Sequence, residues 1–568
     1  MSTYDSVIRN GTVIDGTGMA GYRADIGVSG GKITRIGRIR DQGKREIDAE
    51  GHIVTPGFID GHTHMDAQIH WDREGSCSSW NGVTSVVMGN CGFTIAPASA
   101  ANASLVIRNL ERAEDISPSA MKAGIKWSWE TFPEYMQVLD KIPKGINYAT
   151  YVGHSALRTW AMGEKAFEQS ARPDDIKRMQ DQLRAAMKAG ALGLSTSRSM
   201  HHETSDSRPV ASRLAAWDEV RALVNTIGEG GSGIFEMAHE ENVRVKDPAT
   251  RAEYFGRLLD LAVESGVTFT AGLIPSGRRD AWQEQLNFLD RVAERGGRMF
   301  AQSHSRGVTT LASFLTYLPF DRLAEWKEVR SKPVEEQKKL LRDPQVRARL
   351  VQAAHHGDYG RAIGAEARKP DYEFMFPFYS AVEQNPSVAS LAKQQGKDPV
   401  EVIIDLALER DFDLFFIQPV AEIHQEDVLR VMRHPHSIMT FSDSGAHVSQ
   451  ISDCSIHAHL LAYWAREQQA FTLEDAVRMI TLAPARAFGF HDRGLIREGM
   501  AADLNVIDYQ RFGPELPKLM HDLPSGARRL TQRCSGIKAT LVAGEALLMD
   551  GKYTGATPGK LLRGPQAA

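Results

Sequence analysis

Residues 1–56 alternate apolar and polar positions in short runs, which predicts half-buried strands at Tyr4–Val13, Ala24–Ser29, Lys32–Ile39 and His52–Val54. Gly16, Gly30-Gly31 and Gly51 punctuate them. The same texture returns in residues 491–568, at Ala502–Asp508, Ile537–Ala543 and Ala546–Met549, the last closed by Asp550-Gly551. Two strand-rich ends around one long middle predict a small β-domain to which both termini contribute. Residues 57–490 instead alternate buried apolar runs with helical stretches such as Pro173–Ala189 and Arg251–Glu264, the βα rhythm of a parallel sheet or barrel. The candidate strands are Val54–Ile59, Val83–Met88, Asn147–Val152, Leu192–Thr196, Gly233–Met237, Val267–Ala271, Arg298–Gln302, Leu414–Ile417 and Ile438–Phe441. That is nine runs for the eight places of a barrel, so at least one belongs elsewhere, with Leu414–Ile417 the first to give up. Residues 305–400 exceed an ordinary βα connection and contain the charged, helix-rich stretch Val334–Ala354 and then Pro370–Tyr379, which predicts a lid or subunit contact and a homo-oligomer.

With 42% hydrophobic and 24% charged residues the composition is that of a globular enzyme, and a net charge of 67 − 71 = −4 argues against nucleic-acid and anionic-membrane partners. Nothing approaches a membrane span of ~18 apolar residues, and the opening MSTYDSVIRNGTVIDG has no basic-then-apolar leader pattern, so no signal peptide is expected. Four cysteines, Cys77, Cys91, Cys454 and Cys534, do not make a disulfide framework, and the expected compartment is the cytoplasm.

The chemistry gathers at the predicted strand ends. Thr55–His64 reads as a buried strand ending in His62 and His64, whose i, i+2 spacing aims two imidazoles at one point and suits a divalent metal. Asp60 and Asp66 flank the pair as acceptors able to orient the rings. The rival reading is a surface loop that happens to hold two histidines. Cys91 ends Val83–Met88 within Gly89-Asn90-Cys91-Gly92, where a thiolate can bind or bridge metal; a small buried hydrophobe is the alternative. Asp443 follows Ile438–Phe441 and can both ligate metal and accept a proton from water, the alternative being a turn aspartate in Ser-Asp-Ser-Gly. His239, His202, His304 and His154, in that order as candidate ligands, also end strands, and those not on metal are left as substrate donors or structural groups. Arg198, Arg278, Arg279 and Arg306 lie where a substrate carboxylate could be clamped.

On these residues the chain resembles the amidohydrolase superfamily, in its D-aminoacylase (N-acyl-D-amino-acid deacylase) branch. The likeness runs nearly end to end, through Asn10–Gly16, Gly57–His64, Gly89-Asn90-Cys91-Gly92, Ser442-Asp443 and Gly499–Asp508, with Ser195–Arg198 and His521-Asp522-Leu523-Pro524 as further details. The resemblance implies a (β/α)8 TIM-like barrel of 57–490, a β-sandwich built from 1–56 and 491–568, one or two zinc ions, and a bridging cysteine where other members use a carboxylated lysine. It carries His62 and His64 over as ligands, Cys91 as ligand or bridge, Asp443 as ligand and general base, and His239 as a further ligand. One departure is plain: the branch's next histidine, with the His-Lys after it, should end a strand that here reads Val267-Thr268-Phe269-Thr270-Ala271-Gly272. Either His202 or His304 replaces it, or a single metal binds.

The expected activity is metal-dependent hydrolysis of a C–N bond in a small-molecule amide, an N-acyl amino acid or a relative, with Asp443 as base. The alternatives are the same site acting on a cyclic amide, lactone or other ester, and a non-catalytic metal-stabilised scaffold.

Overall fold

A computed structural model describes residues 4–277, 279–366 and 368–564. Both ends of the chain enter one nine-stranded mixed sheet. The N-terminal part supplies Tyr4–Val13, Tyr22–Ser29, Lys32–Gly37, Gly43–Asp48 and Ile53–Pro56; the C-terminal part supplies Leu504–Ile507, Ile537–Val542, Glu545–Met549 and Lys552–Tyr553. The halves join where Ile53–Pro56 runs antiparallel to Leu504–Ile507, and Val13, Val28, Val54, Leu504, Val506 and Leu541 share one apolar core. Strand Gly43–Asp48 is invisible to patterning because Ile47 is its one buried residue; it forms by pairing parallel to Tyr4–Val13.

In the middle, parallel pairings run Phe58–Asp60 to Val83–Met88 to Asn147–Thr150, then Val152–Gly153 to Gly193–Ser197, Ile234–Ala238, Thr268–Gly272, Arg298–Ser303 and Ser437–Met439. Phe441–Ser444, which follows directly, pairs parallel with His62–Thr63, and His64 N donates to Ser444 O at 2.7 Å. The last strand thus lies against the first. Helices Pro173–Ala189, Trp217–Gly228, Pro248–Ser265 and Arg279–Glu294 alternate with these strands in an α/β fold. Their ends follow local chemistry: Asp247 caps Pro248–Ser265 by accepting from Ala249 N and Thr250 N, and left-handed Gly266 stops it. Because the strands are parallel, their C-terminal ends open on one side, and loops there carry the site.

Leu414–Ile417 is not a strand of this parallel set. The observed Phe416–Pro419 pairs antiparallel with Thr309–Ala312 and Phe376–Pro377 inside the insert. The insert has its own core, in which Phe314, Phe320, Trp326 and Leu350 pack with Ile403, Ile404, Phe412 and Phe416, so it extends beyond residue 400. Val334–Ala354 divides into Val334–Leu340 and Pro344–His356 because Asp343 caps the second helix just before its proline. Among the described residues no helix is long and apolar enough to cross a membrane, and all four cysteines are free.

Candidate metal centre

His62 and His64 end the first strand, 1% and 2% exposed, with ring centroids 5.5 Å apart. The Nδ1 of His62 lies 2.5 Å from Oε1 of Gln302. An amide oxygen accepts, so Nδ1 carries the proton and the lone pair of Nε2 faces inward. That nitrogen stands 3.5 Å from Cys91 Sγ and 3.7 Å from Asp443 Oδ1. The Nε2 of His64 stands 3.1 Å from Asp443 Oδ1 and 3.5 Å from Glu114 Oε2. Two donor groups result, His62/His64/Cys91 and His64/Glu114/Asp443, each with its ligand atoms within 4.8 Å of one another.

Cys91 and Asp443 reach these places through left-handed backbone, at φ 54° and 59°. Such conformations cost energy away from glycine and gather at functional sites. Neighbouring glycines make the tight turns possible: a Cβ on Gly92 would lie 2.9 Å from Ser197 N, and one on Gly445 2.6 Å from His64 O. Glu236 accepts from Cys91 N at 2.7 Å and Asp66 from Gly89 N at 2.9 Å, so two buried carboxylates hold the cysteine turn. Asp60 accepts from His62 N at 3.3 Å.

The electrostatics are those of a site short of positive charge. Burial pushes Glu114 and Glu236 up to about 8, and Asp60 and Asp66 up to about 7. Burial also lowers His62 to about 4. It opposes charge on His64 too, yet the Glu114, Asp443 and Asp66 carboxylates raise that ring to about 9. Asp443, against the same burial, is held well below the usual range by its contact with His64. Burial, then Glu236, Glu114 and Asp443, pushes the Cys91 thiol well up. Among the described residues the ion-pair partners of Glu114, Glu236 and Asp443 are histidines, never lysine or arginine. Both ring nitrogens of His64, Glu114 Oε1 and Glu236 Oε1 are buried without a hydrogen bond. Unpaired buried polar groups are costly. Imidazole, thiol and carboxylate donors converging here fit a zinc-like cation.

The other expected site residues scatter. His62, Cys91, Glu114, Glu236 and Asp443 border one cavity, and His239 lines it too, but its Nδ1 is 2.7 Å from the Tyr254 hydroxyl and it belongs to neither donor group; strand alternation points Glu236 inward instead. His202 also lines the cavity, its Nδ1 2.6 Å from Ser197 Oγ, and burial with nearby imidazoles lowers it to about 3. His304 does not reach the cavity: its Nδ1 accepts from Arg306 N and Gly307 N at 3.0 and 2.9 Å, and its Nε2 faces Asp453 at 3.4 Å. His154 is fully buried with both nitrogens taken, by Thr196 Oγ1 and Glu219 Oε1 at 2.9 Å each, so it has no atom left for substrate. Arg198 is committed to Glu240 at 3.0 Å and to Ala215 O, Arg306 to Asp453 at 2.7 Å, and Arg279 lies 3.8 Å from Asp427. Arg278 lies outside the described residues. Sequence reading missed Glu114, Glu236, Gln302 and His447. Glu236 had a usable signal, a lone polar residue within an apolar strand, whereas Gln302 stands at a mixed strand end and Glu114 sits in a charged turn that reads as solvated.

Residues 45–547 match the amidohydrolase family Amidohydro_3. The chain belongs to the amidohydrolase family. It is a hydrolase acting on carbon–nitrogen bonds. Among its relatives are the D-aminoacylase of Alcaligenes xylosoxydans xylosoxydans, 26% identical over 567 residues (98% of this chain, 97% of the relative), and the N-acyl-D-aspartate deacylase of the same organism, 26% identical over 571 residues (98% and 95%). Its fold is similar to that of D-aminoacylase, a protein with a binuclear metal centre, at a TM-score of 0.65 and 23% identity over 99% of this chain and 100% of the other. It is similar also to Bordetella bronchiseptica N-acyl-D-glutamate deacylase, solved with zinc and a phosphonate mimic of the tetrahedral intermediate, at a TM-score of 0.64 and 24% identity over 99% of each.

Proposed function

We propose that this protein is a zinc-dependent deacylase of N-acyl amino acids or closely related small amides. The observation that carries it is the convergence of His62, His64 and Cys91, all buried, beside an Asp443 carboxylate that approaches both rings. In this reading residues 57–490 form a closed (β/α)8 barrel, bearing the insert as lid or subunit contact, and residues 1–56 and 491–568 pack as a β-sandwich beside it. Four free cysteines suit a reducing compartment such as the cytoplasm.

His62, His64, Cys91 and Asp443 would hold one or two zinc ions. When bound, zinc supplies Lewis acidity, polarising a carbonyl and lowering the pKa of water. Asp443, ionised at neutral pH and beside both rings, is the group placed to accept the water proton and return it to the leaving nitrogen. Gln302 fixes the His62 tautomer, and Glu236 and Asp66 fix the turn that presents Cys91. His202, neutral and at the cavity wall, is placed to donate to the substrate carbonyl oxygen. The cavity, about 190 Å³, accepts a small substrate rather than a polymer.

The deciding experiment strips the full-length protein with a chelator, restores zinc, and measures turnover of N-acyl amino acids of both stereochemistries beside cyclic amides and esters. Zinc-dependent cleavage of linear amides is expected. Preference for the cyclic amides or esters moves the substrate class, and turnover indifferent to zinc defeats the reading.

A further inference from the structure

The strand Thr268–Gly272 offers no imidazole to the centre; its inward side chain is Thr270, fully buried with an unpartnered hydroxyl. The centre nevertheless has a donor to spare, and it comes from outside the strand set. Glu114 lies just beyond helix Ala103–Glu111. Its main chain is fastened to the loop after the last strand, because Glu114 O accepts from His447 N at 2.5 Å. Asp115 fastens the same turn again, accepting from Ser449 Oγ at 2.5 Å and Gln450 Nε2 at 3.2 Å.

The turn is thus well bonded while the Glu114 side chain is not. Only 2% of the residue is exposed, and Oε1 has no hydrogen-bond partner. Oε2 faces His64 Nε2 at 3.5 Å and His447 Nε2 at 3.7 Å, beyond hydrogen-bond length in both cases. A carboxyl group withdrawn from water and left without a hydrogen bond is unfavourably placed. Two fastenings hold it there beside Asp443, another carboxylate, and among the described residues no lysine or arginine pairs with it. A cation at this point removes both the desolvation cost and the like-charge repulsion. Its three donors already lie within 4.8 Å of one another.

We propose that Glu114 is a metal ligand, binding through its carboxylate on the His64–Asp443 side of the centre and supplying the donor that strand Thr268–Gly272 lacks. A carboxylate there replaces neutral imidazole with a charged, harder ligand. The inference rests on the metal-dependent reading above.

The test compares full-length wild type with Glu114→Gln, which keeps size and removes charge. Zinc affinity is read by chelator competition, and zinc content by elemental analysis. Residues acting on a ligand from behind it typically change metal affinity by ~10–100-fold, so loss of a direct ligand should weaken zinc by more than ~10²-fold. A smaller change overturns the proposal. Melting of the metal-free proteins supplies the second readout. Glu114→Gln should melt close to wild type without metal, because the side chain has no hydrogen bond to lose, and below it with zinc. A variant that is already less stable metal-free shows a structural role and overturns the proposal. A wild type that takes up no zinc refutes the functional reading itself, whereas a zinc-loaded wild type beside an unaffected variant refutes Glu114 alone.

Discussion

The side chain of Glu236, in the middle of one strand, accepts a 2.7 Å hydrogen bond from the backbone N–H of Cys91, in the turn that ends another. Its second oxygen is unpartnered and stands 3.9 Å from His62 Nδ1. One side chain thus shapes the cysteine turn and, once ionised beside a bound cation, would add negative charge behind the first histidine. Glu236→Gln keeps an acceptor for Cys91 N but loses the charge, so zinc affinity should fall by ~10–100-fold with the fold intact. Glu236→Ala also leaves that N–H unpaired, a further cost of about 1–3 kcal/mol. Chelator competition and thermal melts separate the two effects; identical behaviour of the variants would show that the hydrogen bond does not matter.

The four cysteines should divide sharply. Cys91 faces His62 at 3.5 Å, while Cys77 and Cys454 line a second small cavity on the other side of Asp443, outside both donor groups, and Cys534 Sγ contacts Trp80 O. In protein loaded with cobalt, Cys91→Ala should lose the thiolate-to-metal charge-transfer band and most of the bound ion. Ala at Cys77, Cys454 or Cys534 should leave the band unchanged. A band surviving in Cys91→Ala would remove Cys91 from the centre.

Asp443 occupies left-handed backbone at φ 59°, and Asn tolerates that region better than most residues. Asp443→Asn therefore removes basicity with little strain, and kcat should fall by at least ~10²-fold. Circular dichroism should match wild type. Near-normal kcat in a zinc-loaded variant would place proton transfer on another group.

Away from the centre, Glu219 joins His154 at 2.9 Å to Arg158 in a fully buried triad. Burial opposes its charge, but His154 and then Arg158 lower it from 4.5 to about 2. A carboxyl whose folded pKa is depressed contributes stability that is present above its unfolded value and lost as pH falls toward the folded one. The contribution should therefore be whole at pH 7 and fade from about 4.5 down to about 2, amounting to ~3 kcal/mol. Glu219→Gln should be less stable than wild type at pH 7, and the gap should narrow steadily on acidification. A gap constant across that range would mean the triad does not hold Glu219 charged.

Where each side chain lies along its own segment was legible; what meets it from other segments was not. A short apolar run placed Val83–Met88 to the residue, and the HxH spacing placed His62 and His64 together. Pattern failed at Gly43–Asp48, where one buried isoleucine is too thin a signal, and at Leu414–Ile417, a genuinely apolar segment that serves the insert's core. At the site, His304 and His154 look like ligands from strand-end position alone, because the Asp453 and Glu219 that engage them are 149 and 65 residues away. Glu114 is the converse. Its neighbours Glu111, Arg112 and Asp115 suggest solvent, and only the fold reveals that its turn is tied to His447.

The departure at Thr268–Gly272 reaches substrate choice. Glu236 and Thr270 are register partners on adjacent strands, so the layer that would take an imidazole holds a carboxylate and a hydroxyl instead. Nearby, Gly272, Ile274 and Gln285 line the cavity, so its basic lining group, Arg244, comes from the loop after Ile234–Ala238 and not from this strand. A ligand set changed in charge and position also shifts where the polarised carbonyl must sit, and a displacement of ~1 Å can cost ~10²-fold in rate. Simple N-acetyl-D-amino acids should therefore be poor substrates, with kcat/KM below the ~10⁴ M⁻¹s⁻¹ lower end of ordinary enzymes. Steady-state kinetics of the zinc-loaded protein on N-acetyl-D-methionine and its L-isomer checks this. Efficient turnover of the D-isomer would show that Glu236 and Thr270 rebuild the missing wall.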